Sequence, residues 1–271
     1  MSRSLGDIID VLKTAALIQF RIFQAKEKPQ DDFLKIAESC LNILLSKGIN
    51  HPYLYDRKSL GAAIVIVTSD EGFLGELNTL LVNAGVDLVK SKEDEIIVLG
   101  ERGARYLEDM GLDFVLFPGI TDNMEYKEIE TIRNHVLGGY RKKFGRIFIV
   151  YPKFLSLVVQ KVQTVALLPF AQKEQQDKPS AYLIEQTLVE PTERRVLESL
   201  VQIWAGFTLT HIFWSAKQSE YSARIMHLEG STQELSHLNH KLSFDYFRQV
   251  HILKDKSIRE ISATKILLGR K

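Results

Sequence analysis

The residue types that could carry chemistry in this chain do not form a known catalytic arrangement. Gly72 and Gly75 follow an apolar run, but they lack the third glycine of a dinucleotide-binding loop and the lysine of a phosphate-binding loop. Glycines at such a position let a strand and the next helix pack closely, so we interpret the pair as structural. The Gly-x-Ser-x-Gly turn of many hydrolases is also missing from the sequence. We therefore predict a chain that is not an enzyme and binds no cofactor.

Histidines near the C-terminus are the strongest candidates for metal ligands. His237 and His240 lie about one helical turn apart, and His251 follows further along. Zinc sites usually combine histidine with cysteine or carboxylate ligands, and no clear partner of that kind accompanies these three. We predict solvated or interfacial histidines and no metal site.

Cys40 is the chain's one cysteine, so an intramolecular disulfide is impossible. Counting in helical steps places it on a face with Phe33, Ile36 and Leu44. An apolar face of this kind predicts that Cys40 is buried as a packing residue.

The charge balance excludes a partner that is attracted by a strong long-range field. The chain has 35 basic and 34 acidic residues, for a formal net charge of +1. This balance argues against nucleic acid or a lipid surface as a direct partner. The opening residues lack the apolar core of a signal peptide, and no run approaches the roughly 20 apolar residues of a membrane span. We expect a soluble chain that meets a membrane only through partners.

Three zones follow one another along the sequence. Residues 1–50 show apolar positions at alternating spacings of three and four, which predicts a helix with one apolar seam, kinked near Pro29. Residues 51–190 alternate strand and helix signals and end in a polar loop at 171–180. Residues 191–271 predict one long helix, started by Pro191 and Thr192.

The middle zone predicts an α/β fold. Short β-branched runs lie at residues 62–67, 95–99 and 145–150, with helical stretches at 74–82, 103–110 and 124–140. Strands that are apolar on both faces and separated by helices indicate a parallel sheet covered on both sides. Residues 113–117 and 162–167 are read as two further edge strands.

The last zone is the most informative. From Thr192 to Leu268 there is no proline, and the only glycines are Gly206 and Gly230. A continuous helix of that length would extend for roughly 115 Å. Its seam and the N-terminal seam have the same period, so we predict an antiparallel coiled coil around a Rossmann-like parallel-sheet domain. The N-terminal arm is shorter, so partners must cover the rest.

An aromatic stripe in this zone predicts contact with the remainder of the chain. Its members recur at roughly helical spacing: Trp204, Phe207, Phe213 and Trp214. Packing against the α/β domain or the N-terminal helix is the expected role.

Several motifs, in order along the chain, resemble the gamma subunit family of F-type ATP synthases. The segment at residues 67–78 is similar to the family's strand followed by Thr-Ser-Asp-Arg-Gly-Leu-Cys-Gly-Gly-Leu-Asn and a helix. Later matches are Gly100-Glu101-Arg102-Gly103, Ile149-Val150-Tyr151-Pro152-Lys153-Phe154, Ser219-Glu220-Tyr221-Ser222-Ala223-Arg224, Phe247-Arg248-Gln249 and Glu260-Ile261. With His51-Pro52-Tyr53-Leu54, which is similar to the family's entry into its first strand, the matches span about residues 51 to 262.

The resemblance implies a non-catalytic central-stalk rotor that couples ion flow through a membrane ring to conformational change in catalytic beta subunits. It implies alpha, beta and epsilon subunits and a ring of c subunits as partners. It implies a peripheral location at the cytoplasmic face of the cell membrane, and no transit peptide is evident. Arg248 and Gln249 match an Arg-Gln pair that touches a beta subunit. Glu220 and Arg224 are further expected partner-binding residues.

Departures from the family pattern leave two alternatives open. The family's N-terminal string Ile-Thr-Lys-Ala-Met-x-Met-Val-Ala is replaced by the bulkier residues 17–23, and Glu71 and Glu76 stand where Arg and Gly are usual. A gamma-like shaft of a second, non-standard F-type-like ATPase is one alternative. The other is a stand-alone α/β enzyme with a helical oligomerisation arm, which would bind a ligand near Asp70 or Glu101 at the carboxyl ends of the strands.

Overall fold

A computed structural model describes residues 2–26, 31–49, 51–55, 60–123, 126–140, 142–170 and 188–268. The helices in these ranges are α1 (Ser2–Lys26), α2 (Asp31–Ser46), α3 (Leu77–Val86), α4 (Glu101–Asp109), α5 (Tyr126–Gly139) and α6 (Glu193–Leu268). The strands are β1 (Gly61–Val67), β2 (Glu95–Leu99), β3 (Phe114–Phe117), β4 (Phe144–Phe154) and β5 (Gln160–Leu168). The predicted kink at Pro29 and the predicted loop at 171–180 lie outside the described residues.

The five strands form one sheet in the order β3-β2-β1-β4-β5. The first four are parallel, and β5 pairs antiparallel with β4. This confirms the predicted Rossmann-like sheet and both predicted edge strands, β3 and β5. The antiparallel direction of β5 follows from its short connection, because a parallel partner would need a crossover of a dozen or more residues.

Both faces of the sheet are covered, as the β-branched runs predict. Every residue of β1 is buried. Alternate side chains, such as Val65, join a core with α2, α5 and the first part of α6. The intervening ones, such as Ile64, join a second core with α3 and α4.

Helix α2 presents a different face to the core from the predicted one. Cys40 is exposed, and Ile36 is 62% exposed. Ala37 and Leu41 are buried instead, together with Leu44. Two neighbouring stripes of α2 are apolar, and the packing of the sheet and α6 decides which stripe is covered. The prediction that Cys40 is buried is therefore wrong.

Helix α6 is unbroken over 76 residues, as predicted. Thr192 caps its start, since its hydroxyl oxygen accepts a hydrogen bond from the Arg195 backbone N–H at 3.4 Å. One apolar window of α6 is long enough to cross a membrane by length and composition alone, with a mean hydropathy of 1.2 and 44% of the window buried in the protein. Core helices of soluble proteins pass the same test.

The chain divides into two compact units, and α6 contributes to both. The larger unit comprises residues 15–227. In it, the Phe23 ring lies 4.8 Å from Trp214 and 5.7 Å from Tyr221, while Phe33 lies 4.0 Å from Phe207. Residues further along the N-terminal helices contact residues nearer the start of α6, so these helices run antiparallel to α6.

The smaller unit comprises residues 1–14 and 228–271. The Lys13 Nζ lies 2.9 Å from the Glu229 carboxylate, and Gly6 approaches Leu235. The direction is again antiparallel. The division into zones 1–50, 51–190 and 191–271 stays a prediction.

The aromatic stripe on α6 packs as expected. Trp204 makes an edge contact with Phe170, and Phe213 is buried in the core of the sheet domain. Phe207 and Trp214 contact the N-terminal helices.

Replacing Phe23 by Ala should lower the free energy of unfolding by about 3 to 5 kcal/mol, because it removes a buried ring from the α1–α6 contact. Ile22→Ala is the matched control, since Ile22 is 41% exposed and should change stability by less than about 1 kcal/mol. Urea unfolding of the full chain, followed by circular dichroism, measures both. Equal losses from the two variants would contradict this pairing.

Candidate functional site

Asp70 follows β1, and its carboxylate binds the backbone after two neighbouring strands. It accepts a hydrogen bond from the N–H of Glu101 at 2.9 Å and from the N–H of Gly119 at 3.1 Å. Glu101 is the first residue of α4, so the carboxylate lies at the positive end of that helix. A Cβ at Gly119 would lie 2.6 Å from the Asp70 carboxylate. Asp70 therefore joins the carboxyl ends of β1, β2 and β3.

Thr68 is buried and binds backbone groups at the same edge of the sheet. Its hydroxyl donates a hydrogen bond to the Leu99 carbonyl at 2.6 Å and accepts one from the Gly103 N–H at 3.2 Å. Gly100 has φ +102°, and a Cβ there would lie 2.8 Å from the carbonyl carbon of Ser69. These two glycines let α4 start directly against the loop that follows β1.

Ser69 and Asn78 close that loop onto α3. The Asn78 side-chain amide donates to the Ser69 hydroxyl at 3.0 Å, and the Ser69 N–H donates to the Asn78 side-chain oxygen at 3.3 Å. Both residues are buried. The loop between β1 and α3, residues 68–76, is therefore fixed at both ends.

Buried charges on α6 bind the outer part of this loop. The Glu220 carboxylate lies 2.9 Å from the Arg224 guanidinium and 3.1 Å from the Lys217 ammonium. The Arg224 guanidinium also lies 2.9 Å from the Glu71 carboxylate and donates to the Gly72 carbonyl at 3.4 Å. We call this set, Glu71, Gly72, Lys217, Glu220 and Arg224, the α6 joint.

A second contact extends the α6 joint to the loop after β3. The Lys217 ammonium lies 3.3 Å from the Asp122 carboxylate, and the Tyr221 hydroxyl donates a hydrogen bond to the same group. Burial and the Asp122 carboxylate raise the pKa of Tyr221. Burial also raises the pKa of Glu220, and the neighbouring Lys217 and Arg224 charges oppose part of that rise. The buried charges of Lys217, Glu220 and Arg224 are therefore paired within the protein.

A cavity of about 10 Å³, lined by residues such as Thr68, Asn78 and Glu220, remains between the loop and α6. This is about the space needed for one water molecule. A wider cleft of about 480 Å³, lined by residues such as Asp70, Glu71, Asp122 and Lys217, opens beside the loop and α6.

Near the place where the enzyme alternative expects a ligand, the Asp70 carboxylate accepts a hydrogen bond from the Glu101 backbone N–H, while the Glu101 side chain pairs with Arg105. Among the described residues, no group of three or more His, Cys, Asp or Glu side chains is placed to hold a metal ion. The contacts of the α6 joint connect α6 to the loops after β1 and β3.

Two of the four sequence-predicted site residues meet in the α6 joint. Glu220 and Arg224 are buried and bind within the chain, and their direct role toward a partner stays a prediction. Arg248 and Gln249 belong to the smaller unit and are exposed on α6. Sequence reasoning missed Lys217, although its spacing of three from Glu220 is a helical ion-pair spacing.

The last third of α6 carries large apolar side chains that the chain leaves uncovered. Each of them is at least half exposed: Leu242, Phe244, Tyr246, Phe247, Ile252, Leu253, Ile258 and Ile261. With 3.6 residues per turn, Leu242 and Leu253 share one side, while Phe244 and Ile258 lie nearly opposite. We call residues 242–261 the exposed shaft.

Comparison with known proteins gives one family throughout. A family model described as ATP synthase matches residues 2–262. The ATP synthase gamma chain of Clostridium botulinum (strain 657 / Type Ba4) is 26% identical over 262 residues, covering 94% of this chain and 90% of the relative. The ATP synthase gamma chain of Clostridium novyi (strain NT) is 28% identical over 208 residues, covering 75% of this chain and 70% of the relative.

Solved structures share the fold. A chain from the rotor of the Euglena gracilis mitochondrial ATP synthase matches with a TM-score of 0.69 at 16% identity, covering 93% of this chain and 94% of that one. A chain from the central stalk and c-ring of the Tetrahymena thermophila mitochondrial ATP synthase matches with a TM-score of 0.63 at 14% identity, covering 83% and 99%. The chain belongs to the family of ATP synthase gamma subunits, the central-stalk subunits of F-type ATP synthases.

Proposed function

We propose that this chain is the rotor of an F-type ATP synthase and has no catalytic role of its own. In this proposal it couples ion flow through a membrane ring of c subunits to conformational change in catalytic beta subunits. Its partners are the alpha, beta and epsilon subunits and the c-ring. The complex holds it at the cytoplasmic face of the cell membrane.

The exposed shaft carries the proposal. The apolar side chains of the exposed shaft spread over more than half of the helix circumference, and charged residues such as Asp245 and Asp255 occupy the rest. Phe244 and Leu253 are each more than 60% exposed and lie on opposite sides of α6. One flat partner would cover one side only, so a sleeve of subunits around the helix fits best. A ring of alternating alpha and beta subunits provides such a sleeve.

The α6 joint supports a role in transmitting torque. A rotor must pass force between the part that is turned and the part that acts on the catalytic subunits. Lys217, Glu220 and Arg224 are buried on α6 and bind the loops after β1 and β3. A network of paired charges in a low dielectric resists displacement, because moving one partner leaves a buried charge uncompensated.

Arg248 and Gln249 supply polar contacts within the apolar shaft. Their exposure leaves the guanidinium and amide groups available to a beta subunit. Contacts that differ among the beta subunits at each angle would favour different conformations in each, which is the requirement for coupling.

A gamma-like shaft of a second F-type-like ATPase is the runner-up function. The observation that favours it is the bulky α1–α6 contact, where Phe20 and Phe23 are buried at 5% and 1% exposure in place of the family's smaller residues. Purification of the tagged chain from its own cells decides between them. Recovery with the standard alpha and beta subunits supports the main proposal, and recovery with a second ATPase pair supports the runner-up. Recovery as a homo-oligomer without either pair would overturn both.

Replacing Arg224 by Met should lower the free energy of unfolding by about 3 to 5 kcal/mol, because Glu220 loses one of its two buried cations. Glu71→Gln is the matched control, since Glu71 contacts the same guanidinium from a side chain that is 72% exposed. That change should stay below about 1 kcal/mol. Chemical denaturation of the full chain measures both values, and a control as damaging as Arg224→Met would refute the buried joint.

Replacing Arg248 by Ala should weaken binding to the alpha–beta ring by roughly tenfold to a hundredfold, because a hydrogen bond to a charged group contributes about 1.5 to 3 kcal/mol. Gln249→Ala should have a smaller effect in the same direction. Lys241→Ala, which removes an exposed charge on the same helix, is the control. Titration of the isolated ring with labelled chain measures the affinities. A Lys241→Ala loss equal to that of Arg248→Ala would argue against specific contacts.

A further inference from the structure

The turn between β4 and β5 carries a second uncovered apolar surface, separate from the exposed shaft. Its large side chains are exposed by 53% at Leu155, 41% at Leu157, 68% at Val158 and 50% at Val159. We call residues 155–159 the hairpin tip. Four adjacent aliphatic side chains in solvent at a loop are unusual for a surface without a partner.

Hydrogen bonds hold the hairpin tip in one shape. The N–H groups of Leu155 and Ser156 both donate to the Val159 carbonyl, at 3.2 and 3.1 Å, and the Val159 N–H donates back to the Ser156 carbonyl at 3.2 Å. The Gln160 side-chain amide donates to the Leu157 carbonyl at 3.1 Å. The apolar side chains are therefore presented by a closed turn.

The hairpin tip is also fastened to the helices of the larger unit. The Gln160 amide donates to the Ser222 hydroxyl on α6 at 2.9 Å. The Phe154 N–H donates to the Ser215 hydroxyl on α6 at 3.4 Å, and the Phe154 ring lies 5.4 Å from Phe20 on α1. Force applied at the tip would reach both helices directly.

Two lysines flank the hairpin tip with the same charge. Lys153 and Lys161 are paired directly across β4 and β5. Like charges in this position destabilise a strand pair. No acidic residue occurs between them in the sequence, and among the described residues neither forms a salt bridge. The surface therefore combines an aliphatic centre with an uncompensated basic rim.

We infer that the hairpin tip docks on a protein surface with carboxylates around an apolar patch, contributed by the alpha–beta ring. The basic rim fixes the charge of the partner, since complementary potential steers and orients association. A bilayer fits less well, because lipid-binding segments carry about four to eight basic residues and aromatic anchors, whereas this tip has two lysines and aliphatic side chains. The identity of the partner rests on the proposed function.

Charge reversal tests the rim. In the full chain, the double variant Lys153→Glu with Lys161→Glu should bind the isolated alpha–beta ring about tenfold more weakly at low salt, and the difference should shrink as salt rises. Lys90→Glu with Lys92→Glu is the matched control, because both lysines are exposed near the start of β2 and the net charge changes equally. The control should stay within about twofold of the unmodified chain.

Crosslinking tests the apolar centre without relying on affinity. With Cys40→Ser as background, Val158→Cys labelled with a photoreactive maleimide should form an adduct with a ring peptide that contains Asp or Glu. Lys92→Cys, labelled in the same way, should form none. An adduct from Lys92→Cys alone, or from neither position, would overturn the inference.

The outcomes separate the two levels of the proposal. If the unmodified chain does not bind the ring, the proposed function and the docking surface both fail. If it binds and the hairpin variants behave as the controls do, the docking surface alone fails. Flotation with phosphatidylglycerol vesicles that depends on Lys153 and Lys161 would assign the tip to a membrane and overturn the protein partner.

Discussion

The structure depends on one constraint: α6 carries more apolar side chains than the described part of the chain covers. Helix α6 is buried against the sheet and α1 as far as Leu228, which is 1% exposed. Beyond Leu242 its apolar side chains face solvent on several sides. Helical propensity alone does not keep such side chains in a sequence, because their exposure favours association. Their presence is understandable if other subunits surround them, as we propose.

The sheet domain can be understood in the same way. Part of its carboxyl edge, where α/β proteins usually bind ligands, is bound by the chain itself. Asp70 binds the backbone at Glu101 and Gly119, and the paired charges of Glu220 and Arg224 lie between this edge and α6. Replacing buried ion pairs by apolar residues is often neutral for stability, so their benefit here is better sought in fixed orientation. That orientation is the one between the sheet and residues 217–224 of α6, within the larger unit.

Much of the fold could be predicted from sequence, because its signals are long and periodic. The unbroken α6, the parallel Rossmann-like sheet and the antiparallel helix pairing follow from apolar spacing and from the resemblance. The failure at Cys40 has a physical reason: α2 has two apolar stripes, and only tertiary packing selects the one containing Ala37 and Leu41. The role of Asp70 was not predictable, since its partners are backbone groups more than thirty residues away.

Rotation of single assembled molecules tests the central claim most directly. Cys40, the single and exposed cysteine on α2, accepts a bead or a fluorescent label, while the alpha–beta ring is fixed to a surface. If the exposed shaft turns inside the ring, adding ATP should rotate the label in one direction, in discrete steps set by the number of beta subunits in the ring. A ring that hydrolyses ATP while the label stays at a constant angle would contradict the account.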